Sequence, residues 1–217
     1  MNIIPSLLTK IKQQGATVAL SSGVDSVACL HFLATKFPKI QLKGFHFNHL
    51  LRHQNDVMMD KAKEFCHKLN IQLTIRSRQE SETDFSENGL RTIRYKAMSG
   101  FGNVITCHHL DDAVENYLFN CFNGVPEYLP IPLETEYSEF GLNVMRPFIL
   151  NEKRELTEYA ERNDLMQFVV QDETNQDQKY RRNWLRHSVV PVVQQNYNLK
   201  TIVSKRYKEY INKKPAF

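Results

Sequence analysis

Four short apolar runs punctuate the first half of the chain: TVAL (17–20), LKGFHF (42–47), QLTIR (72–76) and NVITC (103–107). Their length and their content of β-forming residues predict strands. The stretches between them carry helical spacing instead. Val27, Leu30, Ala34 and Phe37 recur every three or four residues, as do Leu90, Ile93, Ala97 and Phe101. In the second such stretch Val57, Lys61, Glu64 and Lys68 interleave with Met58, Ala62, Phe65 and Leu69, giving one polar and one apolar stripe. Strands alternating with helices predict right-handed crossovers, hence an α/β doubly wound parallel sheet with helices on both faces. In such a sheet ligands bind beyond the carboxyl ends of the strands, so the residues after each strand bear on function.

Ahead of the first strand, MNIIPSLLTKIKQQG predicts a short amphipathic helix rather than an export signal. The pattern changes after about residue 123. NGVPEYLPIP is rich in turn formers, with three prolines, and predicts an excursion or boundary. RPFI, a helix over 151–164, an apolar QFVV and a polar loop over 171–179 follow, and helical patterns at 181–195 and 198–212 close the chain.

With 217 residues, 41% hydrophobic and 24% charged, the chain has the make-up of a globular domain with a sizeable core. It holds no apolar run of the roughly 18 residues that a membrane span requires. Its four cysteines (Cys29, Cys66, Cys107, Cys121) lie far apart with no C-x-x-C pair, which argues against a zinc ribbon, an iron–sulfur site or a disulfide framework and for a cytoplasmic setting. The net charge of +4 is uneven. From Lys179 onward ten Lys/Arg face one acid, a net of +9, which leaves 18 basic and 23 acidic residues, a net of −5, in the rest. An acidic body with a basic end predicts a polyanionic partner for that end.

After the first predicted strand comes Ser21-Ser22-Gly23-Val24-Asp25-Ser26. Small residues, a glycine suited to φ > 0 and a helix N-terminus make an oxyanion nest, in which Asp25 would hold Mg²⁺ against phosphate oxygens. A tight turn capped by Ser and Asp accounts for the same residues. The second strand delivers Asn48, His49 and Arg52 to the same rim. The fourth delivers His108 and His109, then Asp111, Asp112 and Glu115, with Glu115 on one helix face with both aspartates. A capping box from Asp112 to Glu115 explains part of that cluster. Capping leaves the two histidines and the second aspartate over, and such a group suits metal binding or the handling of a cationic amine.

SSGVDS, L90-R-T-I-R94-Y95 and H108-H-L-D-D-A-V-E115-N116 together resemble the N-type ATP pyrophosphatases, the PP-loop group with its adenine-nucleotide hydrolase-like fold. Within it the chain is similar to the tRNA(Ile)-lysidine synthetase family through N48-H-L-L-R52, R146-P147 and D172-E-T-N175-Q-D177-Q-K-Y180-R-R182-N183. The resemblance covers about 17–195. It departs at Ser22 and Leu50, where the family has Gly, at Asn116, where Thr is usual, and at FNCFNGVP, which lacks the family's basic ending. It implies a catalytic domain over 1–195, a basic helix or tail over 196–217, and the absence of the C-terminal domains of longer relatives.

The activity implied is ATP-dependent ligation of lysine to the wobble cytidine of an isoleucine tRNA with a CAU-type anticodon. Ser21, Ser22, Gly23, Val24, Asp25 and Ser26 would hold ATP, with Asp25 on Mg²⁺. Asp25, His108, Asp111, Asp112, Glu115 and Arg182 would be catalytic. Asn48, His49, Arg52, Arg91, Arg94, Asp112, Glu115 and Asn183 would bind substrate, with Asp112 and Glu115 on free lysine. Lys179, Arg181, Arg186, Lys200, Lys205 and Arg206 would meet tRNA phosphates. Tyr180 and Trp184 suit base stacking, although core packing is the stronger expectation for Trp184. The partners expected are therefore tRNA, lysine and a second copy of the chain, and no membrane. A 2-thiolation enzyme of the same group and a non-catalytic ATP- and tRNA-binding relative are the alternatives.

Overall fold

The computed structural model describes residues 1–51, 53–125, 128–171 and 181–213. The four expected strands form as β1 (Ala16–Ala19), β2 (Leu42–Asn48), β3 (Gln72–Ser77) and β4 (Gly102–Ile105), joined through α2 (Val24–Lys36), α3 (His53–Lys68) and α4 (Glu87–Ala97). The N-terminal amphipathic stretch is α1 (Pro5–Gln14), which buries Leu7 and Ile11. Gly15 ends it at φ 70°, where a Cβ would stand 2.8 Å from Gln41 O, so a larger residue would force the helix off the sheet.

β4 leads into α5 (Leu110–Phe122). After the turn-rich stretch comes a hairpin, β5 (Glu134–Tyr137) and β6 (Leu142–Met145), that the apolar pattern did not reveal. Strand order is β3-β2-β1-β4-β6-β5, parallel except for antiparallel β5 at the edge. β5 is polar (ETEY), and an antiparallel edge strand does not need the continuous apolar run of a central parallel one. α6 (Lys153–Arg162) follows, opened by a Glu152/Glu155 capping box, and a 3₁₀ turn at Met166–Phe168 takes in the first half of QFVV. The last part runs α7 (Arg181–Trp184), a π-helical turn (Leu185–Val189), α8 (Val190–Gln194) and α9 (Leu199–Lys213).

Both faces of the sheet are covered, as a parallel sheet requires. Phe45, Phe47, Ile93, Tyr95, Met98, Val104, Leu142 and Val144 make one core; a larger one gathers α1, α2, α5, α6 and α9. α9 is integral to that larger core: Val203 and Tyr207 are fully buried, and Tyr207 Oη donates to Ile131 O at 2.7 Å. No described helix is long and apolar enough to cross a membrane.

The order β2-β1-β4 sends the chain outward in opposite directions from β1 and β4. The starts of α2 and α5 therefore face each other across a crevice at the strand ends.

Candidate active site

That crevice is a cleft of about 1010 Å³. Ser21, Gly23 to Ser26, His49, Arg94, His108, His109, Asp111, Asp112 and Glu115 all line it. The first and fourth post-strand segments thus converge, as the sheet rule requires. Arg91, Arg182, Asn183, Asn48 and Ser22 are not among its lining residues. Arg52 and the motif segment 172–180, with Lys179 and Tyr180, lie outside the described residues.

The loop after β1 departs from expectation in which residue bears the strain. Ser22, not Gly23, takes positive φ (60°), while Gly23 caps α2 in extended conformation (φ −76°). A non-glycine residue in the left-handed region costs about 1–3 kcal/mol and persists only when its surroundings fix it. Here the buried Ser22 hydroxyl donates to Met58 O at 2.6 Å, and Val170 N donates to Ser22 O at 2.9 Å. The serine side chain is thereby turned away from the cleft. Ser26 Oγ accepts from Ser21 N at 3.1 Å and donates to Gly23 O at 2.9 Å, which curls the loop around the first turn of α2. No side chain caps α2 at Gly23, so its opening N–H groups are left to the cleft.

Asp25 meets a cation, but one supplied by the protein. Lys153 Nζ, at the start of α6, lies 2.7 and 2.6 Å from the two Asp25 carboxylate oxygens. His109 Nε2 stands 3.7 Å away. Both carboxylate oxygens are thus engaged by the ammonium. Among the described residues no group of His, Cys, Asp or Glu is arranged to hold a metal ion. Lys153 stands 128 residues away in sequence, on a helix whose own pattern gave no sign of the partnership.

The two adjacent histidines face opposite electrostatic surroundings. His109 caps α5: its side chain accepts from Asp112 N, and Asp112 Oδ2 accepts from His109 N at 2.9 Å. The capping box therefore spans 109–112, one turn earlier than expected, which leaves Glu115 outside it. Around His109 lie Asp25, Asp111 and Asp112, at 3.7, 3.8 and 3.5 Å from its ring nitrogens. Asp25 and Asp111 are neutralised locally. Lys153 N and Lys200 Nζ contact Asp111 at 2.7 and 2.8 Å. Burial works to raise the Asp111 carboxyl, but these two partners outweigh it and hold it below the usual range. Arg186 grips Glu115 with two bonds of 2.6 and 3.0 Å. Burial nevertheless lifts the Glu115 carboxyl above its usual range, with Asp112 adding to the effect. Arg186 and Lys200, expected on tRNA phosphates, are thus engaged with the protein's own acids. Lys200 also holds Glu152 at 2.8 Å.

His108 looks the other way. Its Nδ1 lies 3.0 Å from Thr106 Oγ1. Burial, then Arg146, Arg94, Arg91 and Arg182 in that order, push the imidazole well below its usual range, so it is neutral at pH 7. The guanidinium carbons of Arg91 and Arg94 lie 5.3 and 5.9 Å from the Tyr95 ring, and Arg182 Nη2 reaches Asn116 Oδ1 at 3.4 Å. Arg146 is fully buried and holds the hairpin through Pro132 O and Thr135 Oγ1, each at 2.9 Å. It shapes this side of the site without lining the cleft.

The remaining expected residues divide. Asn48 is buried and spends its amide on the chain itself, donating to Asp56 Oδ1 at 3.0 Å and accepting from Leu50 N at 2.8 Å. That second bond holds Leu50 at φ 53°, which gives Asn48 a turn-holding role. His49 lines the cleft with its ring edge-on to Phe47. Asn183 is buried on α7. Trp184 is 45% exposed, contrary to the expectation of core packing.

The PP-loop domain family matches residues 2–193 of the chain. Among curated proteins, the tRNA(Ile)-lysidine synthase of Haemophilus influenzae (strain 86-028NP) is 28% identical over 204 residues, 89% of this chain and 47% of that protein. The enzyme of the same name from Staphylococcus aureus (strain MRSA252) is 28% identical over 195 residues, 84% of this chain and 45% of its own length. The chain spans about half the length of the curated relatives it matches. Among solved structures, the U34-tRNA thiolase NcsA of Methanococcus maripaludis superposes with a TM-score of 0.72 at 16% identity, covering 92% of this chain and 72% of that one, a likeness of fold.

Proposed function

The chain belongs to the PP-loop family, and from that premise we propose that it is an ATP-dependent tRNA-modifying ligase. The reaction we assign is the joining of lysine to carbon 2 of the wobble cytidine of an isoleucine tRNA, through an adenylated tRNA. Similarity to lysidine synthases over most of the chain supports this reading. One observation carries it: the loop Ser21 to Ser26 and the acids beside His109 share a single cleft, with His109 Nε2 3.7 Å from Asp25.

ATP enters with its Mg²⁺ as part of the substrate. The opening N–H groups of α2 and the Ser21 hydroxyl suit its phosphates, and the helix dipole adds to the attraction. Lys153 resolves the difficulty of a carboxylate in a phosphate loop, since its ammonium screens Asp25 from the nucleotide. In the first step the cytosine O2 bonds to the α-phosphorus as the bond to pyrophosphate breaks. Arg94 and Arg182, beside neutral His108, supply positive charge toward that transition state. In the second step the ε-nitrogen bonds to carbon 2, AMP departs with the former O2, and the amine loses a proton. A free lysine amine has a pKa of about 10.4 and arrives protonated. Asp112 suits both tasks required, attracting the ammonium and accepting its proton.

The test is incubation of the purified chain with ATP, radiolabelled lysine and candidate isoleucine tRNAs. Label in tRNA with stoichiometric AMP is expected. Nucleotide binding with neither product would indicate a non-catalytic relative instead.

A further inference from the structure

Three carboxylates of α5 line the cleft, and two are already closed: Lys200 Nζ and Lys153 N hold the two oxygens of Asp111 at 2.8 and 2.7 Å, and Arg186 holds Glu115. Arg186 Nε donates to Glu115 Oε1 at 2.6 Å and Nη2 to Oε2 at 3.0 Å, so each oxygen carries a guanidinium hydrogen. The Glu115 side chain is only 8% exposed, which leaves little open surface for a second cation. Asp112 differs. Its Oδ2 accepts from the His109 backbone, its side chain is 22% exposed, and Arg186 Nη2 approaches Oδ1 no nearer than 3.6 Å. One guanidinium therefore serves two acids unequally.

Arg186 reaches this place from the π-helical turn Leu185–Val189. Such a turn adds a residue to the helical repeat and re-aims the side chains it carries; π-turns are frequent at functional sites. α7 and α8 on either side are short, and the turn brings Arg186, Val190, Pro191 and Gln194 to the cleft together.

We infer that Arg186 is a specificity-determining residue: it keeps Glu115 as its own partner and so leaves Asp112 as the single carboxylate of α5 that seats the substrate amine. The inference rests on the reading of this cleft as amine-accepting. It makes Glu115 a positioning residue that works through Arg186. Removing Glu115 alone frees a guanidinium 3.6 Å from Asp112, where it competes with an ammonium for the same oxygen. Removing Arg186 alone opens a second acidic seat. Removing both restores Asp112 without a competitor, since an ion pair exchanged as a unit is tolerated far better than the loss of one partner.

The experiment is calorimetric titration of L-lysine into the full chain as wild type, Asp112→Asn, Glu115→Gln, Arg186→Gln and Glu115→Gln/Arg186→Gln. Thermal melts check folding, and ATP titrations check the loop. Asp112→Asn and Glu115→Gln are each expected to weaken lysine about tenfold, the double variant to return within about threefold of wild type, and Arg186→Gln to bind no more weakly than wild type. A double variant as weak as Glu115→Gln means that Glu115 holds the amine itself, which overturns the inference. Should Glu115→Gln fail to fold, Arg186→Gln decides alone, and a tenfold loss there is equally fatal. Wild type that binds ATP but no lysine removes the amine reading altogether. Wild type that binds lysine beside a double variant that does not recover removes only the role given to Arg186.

Discussion

His108 and His109 are neighbours in sequence and opposites in environment. His109 is ringed by Asp25, Asp111 and Asp112, whereas His108 is held neutral by burial among Arg146, Arg94, Arg91 and Arg182. The peptide between them separates the acidic wall of the cleft from a basic cluster, of which Arg94 lines the cleft while Arg91, Arg146 and Arg182 do not. On the acidic wall nearly every carboxylate has a fixed protein cation: Lys153 for Asp25, Lys200 for Asp111 and Arg186 for Glu115. On the basic side burial and the guanidiniums of Arg146, Arg94, Arg91 and Arg182 act on His108. The lesson is that a charge count from sequence cannot say which wall is open to ligand. The basic wall asks for anions, while the acidic wall offers one modest vacancy, at Asp112.

The largest effect that would break this comparison comes from Lys153. Lys153→Gln leaves Asp25 negative beside the phosphate loop and is expected to lower nucleotide-dependent turnover by about 100-fold, read from initial rates of AMP release. Next comes Arg94→Ala on the basic wall. It should cost about tenfold in tRNA-dependent kcat/KM and leave lysine binding by calorimetry unchanged.

A third test concerns pH. The folded-state pKa of His108 lies below the unfolded value of about 6.5, so folding favours its neutral form. Its contribution to stability is fully present above about pH 6.5 and is lost as pH falls below that value. The loss has a slope of up to about 1.4 kcal/mol per pH unit. Denaturation midpoints of His108→Asn should show a shallower acid limb than wild type, and an unchanged limb would contradict a buried neutral imidazole. The smallest effect is expected at Ser22→Gly, where relief of positive φ offsets loss of the Met58 bond and the net change stays within about 1 kcal/mol.

Local pattern carried much of this architecture. Each apolar run became a strand within a residue or two, because short runs rich in β-forming residues between helical patterns mark strands whether central, as β1, or at the edge, as β3. The β5–β6 hairpin went unmarked, since Glu134–Tyr137 is short and polar. The cleft followed from strand order, and the loop and the His–His–acid segment were visible as clusters of chemistry after strands. Their partners were not. Lys153 and Arg186 act across 128 and 71 residues, and nothing in local composition pairs a lysine at a helix start with an aspartate in a distant turn. Basic residues near the end of the chain read as a polyanion surface, yet Arg186 and Lys200 serve internal acids. Conversely Trp184, expected in the core, is at the surface, because a single aromatic beside charged neighbours carries no periodic signal of burial.

The separation of the acidic wall from the basic cluster is tested most directly by crossing variants with ligands: lysine and ATP affinities measured by calorimetry for Asp112→Asn and for Arg182→Ala. The account predicts that Asp112→Asn weakens lysine about tenfold with ATP unchanged, and that Arg182→Ala leaves lysine unchanged. Equal loss of both ligands in both variants would mean that the cleft acts as one undivided site, and would contradict the account.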